Sequence, residues 1–241
     1  MLIIETSNYT ELSKRAANLV IDEISKKPNL RICFATGKTP FGMYEELIKT
    51  YKKKKVDFSK IISFNLDEYL GIKKENKNSY FYYMHENFFN HININKKNIN
   101  LLDSETKDSK KECLLYERKI KEKPIDLMIL GVGVNGHIGF NEPFSSFNSK
   151  TRVIELSDET IKRNSKYFRN IQNVPKKAIT IGIGTVLNSK KIILLASGKD
   201  KSEAIKKLIK TKPDKSCPVT ALRKHDNLIV ILHKEAGRII R

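Results

Sequence analysis

Short apolar runs of strand length alternate with segments of helical periodicity along most of the chain, and this alternation limits the possible folds more than any other feature. The runs are rich in β-branched residues and cover residues 30–35, 60–65, 125–130, 153–156, 178–181, 191–196 and 228–232. Between the runs, apolar residues recur every three or four positions, as in amphipathic helices. Strands separated by helices predict an α/β class with a doubly wound, mostly parallel sheet and helices on both faces.

The length and composition fit one domain. The chain has 241 residues, of which 39% are hydrophobic, and this suffices for a sizeable core. No repeat or low-complexity linker divides the sequence. We therefore expect residues 1–241 to form a single domain.

The chain is strongly basic, with 46 Lys and Arg against 27 Asp and Glu and a formal net charge of +19. Such an excess favours anionic partners, which include nucleic acid, acidic lipid and phosphorylated metabolites. The lysines are scattered along predicted helices, as a compositional bias also leaves them, and no aromatic residues interleave with them in a nucleic-acid-binding motif. No apolar run approaches membrane-spanning length. We expect no nucleic-acid and no membrane partner.

Three cysteines, Cys33, Cys113 and Cys217, lie far apart, and no C-x-x-C pair occurs. This pattern indicates neither a disulfide framework nor a zinc site, and it is typical of reduced thiols. The N-terminal residues do not form a signal peptide. A cytoplasmic location is the resulting expectation.

A glycine-rich segment follows the run 125–130 and reads LGVGVNGHIGFNEP from Leu130 to Pro143. Four glycines in one turn region allow sharp turns and close approach of the backbone to another group. In an α/β protein, the loop that leaves the carboxyl end of a strand is where ligands bind. We therefore predict an active-site loop with His137 and Glu142 as its acid–base members.

Three of these glycines also match the dinucleotide-binding pattern G-x-G-x-x-G. That pattern requires a helix that opens at the third glycine, Gly136. Here Gly139 and Pro143 interrupt any helix within seven residues. Nicotinamide binding is therefore not favoured, and we expect no cofactor.

A second glycine turn follows the run 30–35 and reads TGKTP. A strand, a glycine turn and a helix N-terminus together favour phosphate binding, because exposed amides and the helix dipole attract anions. We expect Thr39 to cap the helix with Pro40 in its first position. An ordinary capped helix explains the same residues, and a P-loop is excluded because Ile32 stands where that loop needs glycine. The phosphate candidates of this turn are Thr36, Gly37, Lys38 and Thr39.

Three further charged residues are candidates by position. Asp67 comes just after the run 60–65, where an acid is well placed for chemistry. Lys201 begins a predicted helix, where the dipole disfavours a cation unless an anion binds there. Lys166 lies on a basic predicted helix, and it is a ligand or an ordinary surface residue.

Once metal, nucleophile and cofactor motifs are set aside, acid–base catalysis on a small phosphorylated molecule is the chemistry that these candidates indicate. The sequence has no metal-ligand cluster, no G-x-S-x-G nucleophile motif and no reactive-cysteine context. Proton abstraction next to a carbonyl or imine is a reaction of this kind, and it needs a carboxylate base in a dry pocket.

Two longer blocks are similar to the signatures of the glucosamine-6-phosphate deaminase family: FNLDEYLG at 64–71 and GVNGHIGFNEP at 133–143. The blocks TGKTP, NSKYF, VPKKAITIGIGT and SGKDKS resemble further family blocks in the same order. The resemblance implies the α/β sandwich shared with ribose-5-phosphate isomerase and coenzyme A transferases. It also implies conversion of glucosamine 6-phosphate and water to fructose 6-phosphate and ammonia, without cofactor or metal.

The resemblance also implies roles for individual residues. His137 drives opening of the sugar ring, supported by Asn135 and Glu142, and Asp67 takes the C2 proton and returns one to C1. The phosphate is held by Gly37, Lys38, Thr39, Lys166 and Lys201. Lys166 stands where arginine is usual, and Ile154 falls where regulated members carry a basic residue.

From Ile154 we expect an unregulated enzyme, and we expect a monomer or a small homo-oligomer. Two other functions remain open on the same fold. They are 6-phosphogluconolactonase and a sugar-phosphate-sensing module of a regulator.

Overall fold

A seven-stranded parallel sheet lies at the centre of the computed structural model, which describes residues 1–238 apart from the side chain of Arg163. In spatial order the strands are β1 (Leu2–Thr6), β10 (Leu228–His233), β9 (Ile192–Ala196), β6 (Leu127–Gly131), β2 (Arg31–Phe34), β3 (Ile62–Asn65) and β5 (Ile99–Asn100). Every neighbouring pair is parallel. The predicted fold class is therefore confirmed.

Helices cover both faces of this sheet. They are α1 (Tyr9–Lys26), α2 (Lys38–Lys52), α3 (Tyr80–Asn87), α4 (Ser109–Glu122), α5 (Asp158–Asn164), α6 (Ile183–Leu187) and α7 (Ser202–Lys210). Side chains alternate along each strand, so that Ile32 and Phe34 join the apolar cluster under α1, α2 and α3, whereas Cys33 joins the cluster under α4, α6 and α7. Among residues 1–238, no helix combines the length and the apolar character that a membrane crossing requires.

A second, smaller sheet is antiparallel and was not predicted. It contains β4 (Asp67–Tyr69), β8 (Lys177–Thr180) and β7 (Arg152–Glu155) in that order. The chain leaves the parallel sheet at Asn65 and enters this sheet at Asp67, with one residue between. Two of the three residues of β4 are acids, which are depleted in strands, so its composition gives little indication of a strand.

Polar side chains cap several of the helices. Asn8 accepts a hydrogen bond from the backbone N–H of Glu11, and Ser79 and Ser157 cap α3 and α5 in the same way. The prediction that Thr39 caps α2 was wrong, because the helix begins at Lys38 and its cap is Gly37. The positive φ of Gly37, 108°, turns the chain into the helix two residues earlier than the sequence pattern suggested.

Candidate active site

A cleft of about 1060 Å³ opens where the chain leaves β2, β3, β6 and β9. In a parallel sheet these carboxyl ends meet at one edge, which is the usual place for a ligand. Eight of the ten predicted site residues line this cleft: Thr36, Gly37, Lys38, Thr39, Asp67, His137, Lys166 and Lys201. The other two, Asn135 and Glu142, lie behind His137.

A row of hydrogen bonds fixes the imidazole of His137. Its Nδ1 lies 2.7 Å from Asn135 Oδ1, and Asn135 Nδ2 donates to Glu142 Oε2 over 2.8 Å. Because the Asn135 amide group faces Glu142, its carbonyl oxygen faces the ring and accepts the proton of Nδ1. In the neutral ring, the lone pair is then on Nε2.

The glycines of the loop bring the backbone against both reacting candidates. A Cβ on Gly133 would lie 2.1 Å from His137 Cε1, so the imidazole occupies the space that any side chain needs. A Cβ on Gly139, whose φ is +57°, would lie 3.1 Å from Asp67 Oδ2. The backbone of the loop at Gly133 and Gly139 thus packs directly against the side chains of His137 and Asp67. Residues 132–151 contain no helix, so the dinucleotide pattern has no structural counterpart here.

Asp67 is a buried carboxylate with an unusual environment. It is 7% exposed, and no other described residue forms a hydrogen bond or an ion pair with its side chain. Burial and the adjacent charge of Glu68 raise the pKa of Asp67 to about 8. Such a carboxylate takes up a proton readily, and a cation placed beside it favours its ionised form.

Glu68 is buried beside Asp67 but has a different role in the structure. Its Oε1 accepts the backbone N–H groups of Tyr69 and Tyr80, and its Oε2 accepts that of Phe81. Burial raises the pKa of Glu68 to about 7, while these three amides act in the opposite direction. Glu68 therefore attaches the start of α3 to β4 and gives Asp67 a negative neighbour.

The other end of the cleft is built by the starts of α2 and α7. Neither helix has a side-chain cap. The first backbone N–H groups of α2 therefore have no side-chain partner, whereas at the start of α7 the N–H of Ser202 donates to the carbonyl of Lys199. Tyr83 donates to the carbonyl of Gly37 over 2.7 Å and holds the turn in place. Lys201 is paired with Asp200 at 2.9 Å and lines the cleft. These features suit an anion.

Lys166 also lines the cleft, and its ammonium lies 5.2 Å above the ring of Tyr167. It lies just after α5, on a segment that covers the cleft from the side of the small sheet. The lysine is exposed, so it reaches a ligand without a rigid partner of its own.

Sequence reasoning missed several residues of the cleft. Tyr69, Tyr80 and Phe140 pack together along it, and the rings of Tyr80 and Phe140 are stacked with centroids 6.0 Å apart. Thr160 on α5 donates to Glu142 Oε1 over 2.6 Å. These residues come from separate parts of the chain, and no sequence pattern joins them. In the described part of the chain, no group of His, Cys, Asp and Glu has the arrangement of a metal site.

Comparisons with known proteins show the family to which this chain belongs. Residues 5–231 match the family model described as glucosamine-6-phosphate isomerases/6-phosphogluconolactonase. A protein of Thermoanaerobacter sp. (strain X514) named glucosamine-6-phosphate deaminase is 48% identical over 241 residues, which cover all of this chain and 95% of that protein.

Two solved structures share the fold. One, described as a monomeric glucosamine-6-phosphate deaminase, superposes with a TM-score of 0.97 at 40% identity and covers 99% of this chain and 100% of that chain. The 6-phosphogluconolactonase of Thermotoga maritima superposes with a TM-score of 0.78 at 20% identity and covers 97% and 99%. The family model spans nearly the whole described chain, and the cleft lies within it. The chain belongs to the family of glucosamine-6-phosphate isomerases and 6-phosphogluconolactonases.

Proposed function

We propose that this chain is a glucosamine-6-phosphate deaminase, which converts glucosamine 6-phosphate and water to fructose 6-phosphate and ammonia. One observation carries the proposal: the carboxylate of Asp67 and the imidazole of His137 face a single cleft whose other end suits a phosphate. The relatives at 48% and 40% identity bear this name, whereas the likeness to a lactonase at 20% reflects the fold alone.

The first chemical step is opening of the sugar ring. With the Nδ1 proton held by Asn135, Nε2 of His137 takes the proton of the hydroxyl on C1 and delivers a proton to the ring oxygen. The bond between C1 and the ring oxygen breaks, and an open-chain aldehyde results. Glu142 supports this step by fixing Asn135.

The second step is proton transfer between C2 and C1. Asp67 takes the proton from C2, and the electron pair of that bond forms a double bond between C1 and C2. The aldehyde oxygen takes up a proton from the C2 ammonium, which becomes an amino group. Asp67 then returns its proton to C1, and the lone pair of the nitrogen forms a protonated imine at C2. Water adds to this imine, and ammonia leaves to give the ketone of fructose 6-phosphate.

The environment of Asp67 favours an amino sugar over a lactone. A base with a pKa near 8 is largely protonated at neutral pH unless a cation approaches it. The ammonium on C2 of glucosamine 6-phosphate is such a cation, and it arrives next to the proton that must be removed. A phosphogluconolactone has no positive charge, so it leaves the carboxylate without this assistance.

The phosphate group occupies the other end of the cleft in this proposal. Gly37, Lys38 and Thr39 offer the start of α2, Thr36 borders the same turn, and Lys201 offers its ammonium at the start of α7. Lys166 adds a charge from the covering segment. Lysine acts as a point charge, so it sets the phosphate position less strictly than an arginine fork.

The direct test is incubation of the purified protein with glucosamine 6-phosphate while fructose 6-phosphate and ammonium are followed together. We expect the two products in equal amounts, without added metal or cofactor. A parallel reaction with 6-phosphogluconolactone identifies the alternative activity. Hydrolysis of the lactone without ammonia release from the amino sugar would overturn the proposal. Binding of both sugars without turnover would instead favour a sensing module.

We also propose a location, a domain organisation and an oligomeric state for this enzyme. We place the protein in the cytoplasm, a location supported by three buried and unpaired cysteines. We also infer that it acts as one domain and as a monomer or small homo-oligomer. The structure that superposes with a TM-score of 0.97 is described as monomeric, which supports the smaller state.

A further inference from the structure

Helix α5 contributes one side chain to the hydrogen bonds behind His137. The hydroxyl of Thr160 donates to Oε1 of Glu142 over 2.6 Å, while Oε2 accepts Asn135 at 2.8 Å. Asn135 in turn holds Nδ1 of His137 at 2.7 Å. One oxygen of Glu142 is therefore held from the glycine-rich loop and the other from α5.

The direction of the Thr160 hydroxyl is also fixed. Ser157 Oγ lies 3.1 Å from Thr160 Oγ1 and donates to it, which leaves the threonine proton for Glu142. The same serine caps α5 by accepting the backbone N–H of Thr160 over 3.2 Å. Thr160 is 6% exposed, so water does not compete freely for its hydrogen bonds.

Among the described side chains, two further kinds of contact attach α5 and the residues beside it to the cleft. Asn164 donates to the hydroxyl of Tyr69 over 2.8 Å. The apolar side of this segment joins the smallest of the three apolar clusters, through Leu156, Ile161 and Phe168. Helix α5 thus lies beside the cleft, and through Thr160 it forms a hydrogen bond with the residues that hold His137.

We propose that Thr160 is a positioning residue for His137, which it orients through Glu142 and Asn135 when α5 lies over the cleft. The inference rests on the proposed deaminase function. A carboxylate held at both oxygens has one orientation, whereas one held at a single oxygen is free to rotate. Rotation of Glu142 would release Asn135, and the lone pair on Nε2 of His137 would then no longer point at the sugar hydroxyl.

The test compares Thr160→Val, which removes the hydroxyl at nearly constant shape, with Thr160→Ser, which keeps it. We expect Thr160→Val to lower kcat about ten-fold, with KM within about two-fold of the wild type, because the binding groups are untouched. That loss corresponds to about 1.4 kcal/mol of transition-state stabilisation. Thr160→Ser should recover at least half of kcat. Where Thr160→Val fails to fold, Thr160→Ala is read in the same way.

An isotope effect separates positioning of His137 from general damage. The substrate is deuterated at C2, so that only the proton transfer from C2 shows an isotope effect. If Thr160→Val slows ring opening, that earlier step limits the rate more strongly. The isotope effect on kcat/KM of this variant should then not exceed the wild-type value. A larger effect would place the damage at Asp67 and overturn the inference. Equal activity of Thr160→Val and wild type, or equal loss in the Val and Ser variants, would also overturn it.

The matched control is Thr50→Val, since the hydroxyl of Thr50 bonds the carbonyl of Glu46 within α2 and does not line the cleft. This variant should keep the wild-type kcat. Failure of the proposed function and failure of the inference about Thr160 give different results. A wild-type protein that releases no ammonia rejects the function, whatever the Thr160 variants do.

Discussion

Three carboxylates in and around the cleft differ in what surrounds them. Both oxygens of Glu142 accept hydrogen bonds from described side chains, and Glu68 accepts three backbone N–H groups. Asp67 lies in the same region with neither kind of partner among the described residues. Hydrogen bonds to the ionised form oppose the effect of burial on a carboxylate, and Asp67 lacks them, so burial and the charge of Glu68 raise its pKa without opposition. This contrast supports Asp67 as the base and Glu142 as a support.

Replacing Asp67 with asparagine should abolish most turnover, because an amide takes no proton from C2. Substrate affinity should change little, since the phosphate end of the cleft is intact. Ammonia release gives the first quantity, and the binding of glucosamine 6-phosphate to the inactive variant gives the second. Ammonia release at the wild-type rate from this variant would contradict the role.

The same variant should also be more stable than the wild type above neutral pH. The folded protein holds a proton on Asp67 up to about pH 8, whereas the unfolded chain releases it near 3.8. Stability from this group therefore falls as pH rises between these values. The Asp67→Asn substitution would remove that fall, and each kcal/mol appears as about 2–4 °C in Tm. Thermal melts of both proteins at pH 5 and pH 8.5 should show a Tm difference that grows with pH.

Replacing His137 with glutamine should slow ring opening more than proton transfer at C2. Glutamine keeps a polar group in the cleft but does not shuttle a proton at neutral pH. We expect kcat to fall by roughly 10²–10⁴, the usual range for loss of a general base. An acyclic substrate analogue, which needs no ring opening, should react relatively better with this variant than with Asp67→Asn. Equal losses for cyclic and acyclic substrates would argue against the assignment.

At the scale of elements, the cleft depends on both sheets. The parallel sheet brings the starts of α2 and α7 together, and the small antiparallel sheet carries Asp67 on β4. Leu66, the single residue between β3 and β4, bonds both sheets: its N–H donates to Phe34 and its carbonyl accepts from Ile181. The base is therefore fixed relative to the phosphate end by backbone hydrogen bonds.

Replacing Lys201 with glutamine should raise KM for glucosamine 6-phosphate by about 10- to 100-fold, with kcat within about three-fold. The lost charge lies at the start of α7, where it would face the phosphate and take no part in proton transfer. Inorganic phosphate should inhibit the variant correspondingly more weakly. Lys206→Gln on the same helix is the matched control, since Lys206 does not line the cleft. Similar KM changes in both variants would indicate a general charge effect.

Elements with a long apolar run were predictable, and those held by tertiary contacts were not. Apolar residues recur at helical spacing from Leu12 to Ile24, which lie in α1, and Ser157, a residue type favoured at caps, precedes α5. In contrast, the three residues of β4 are a strand only because β8 lies beside them. The cap of α2 was misplaced because the positive φ of Gly37 leaves no trace in a propensity pattern. Residues of the site show the same division: His137 lies in a recognisable motif, whereas Thr160 reaches Glu142 only in the folded chain.

At the scale of the whole molecule, the net charge of +19 should assist capture of a sugar phosphate, whose phosphate charge exceeds that of its ammonium. Because exposed charges are screened over about 10 Å at 0.1 M salt, kcat/KM should fall several-fold between about 20 and 200 mM salt, while kcat stays nearly constant. Steady-state kinetics at a series of sodium acetate concentrations measures this. Glucosamine without phosphate, which carries no negative charge, is the control substrate and should show no such fall.

Strand β1 pairs with β10, which is formed by residues 228–233, more than 220 positions further along the chain. During synthesis on the ribosome, residues 2–6 are therefore made more than 220 residues before the strand that they pair with. Leu2 and Ile3 remain exposed even in the finished sheet, at 56% and 40%. An unpaired apolar strand is prone to associate with other chains. Until residues 228–233 emerge, β1 therefore has no strand to pair with and exposes an apolar edge to other nascent chains.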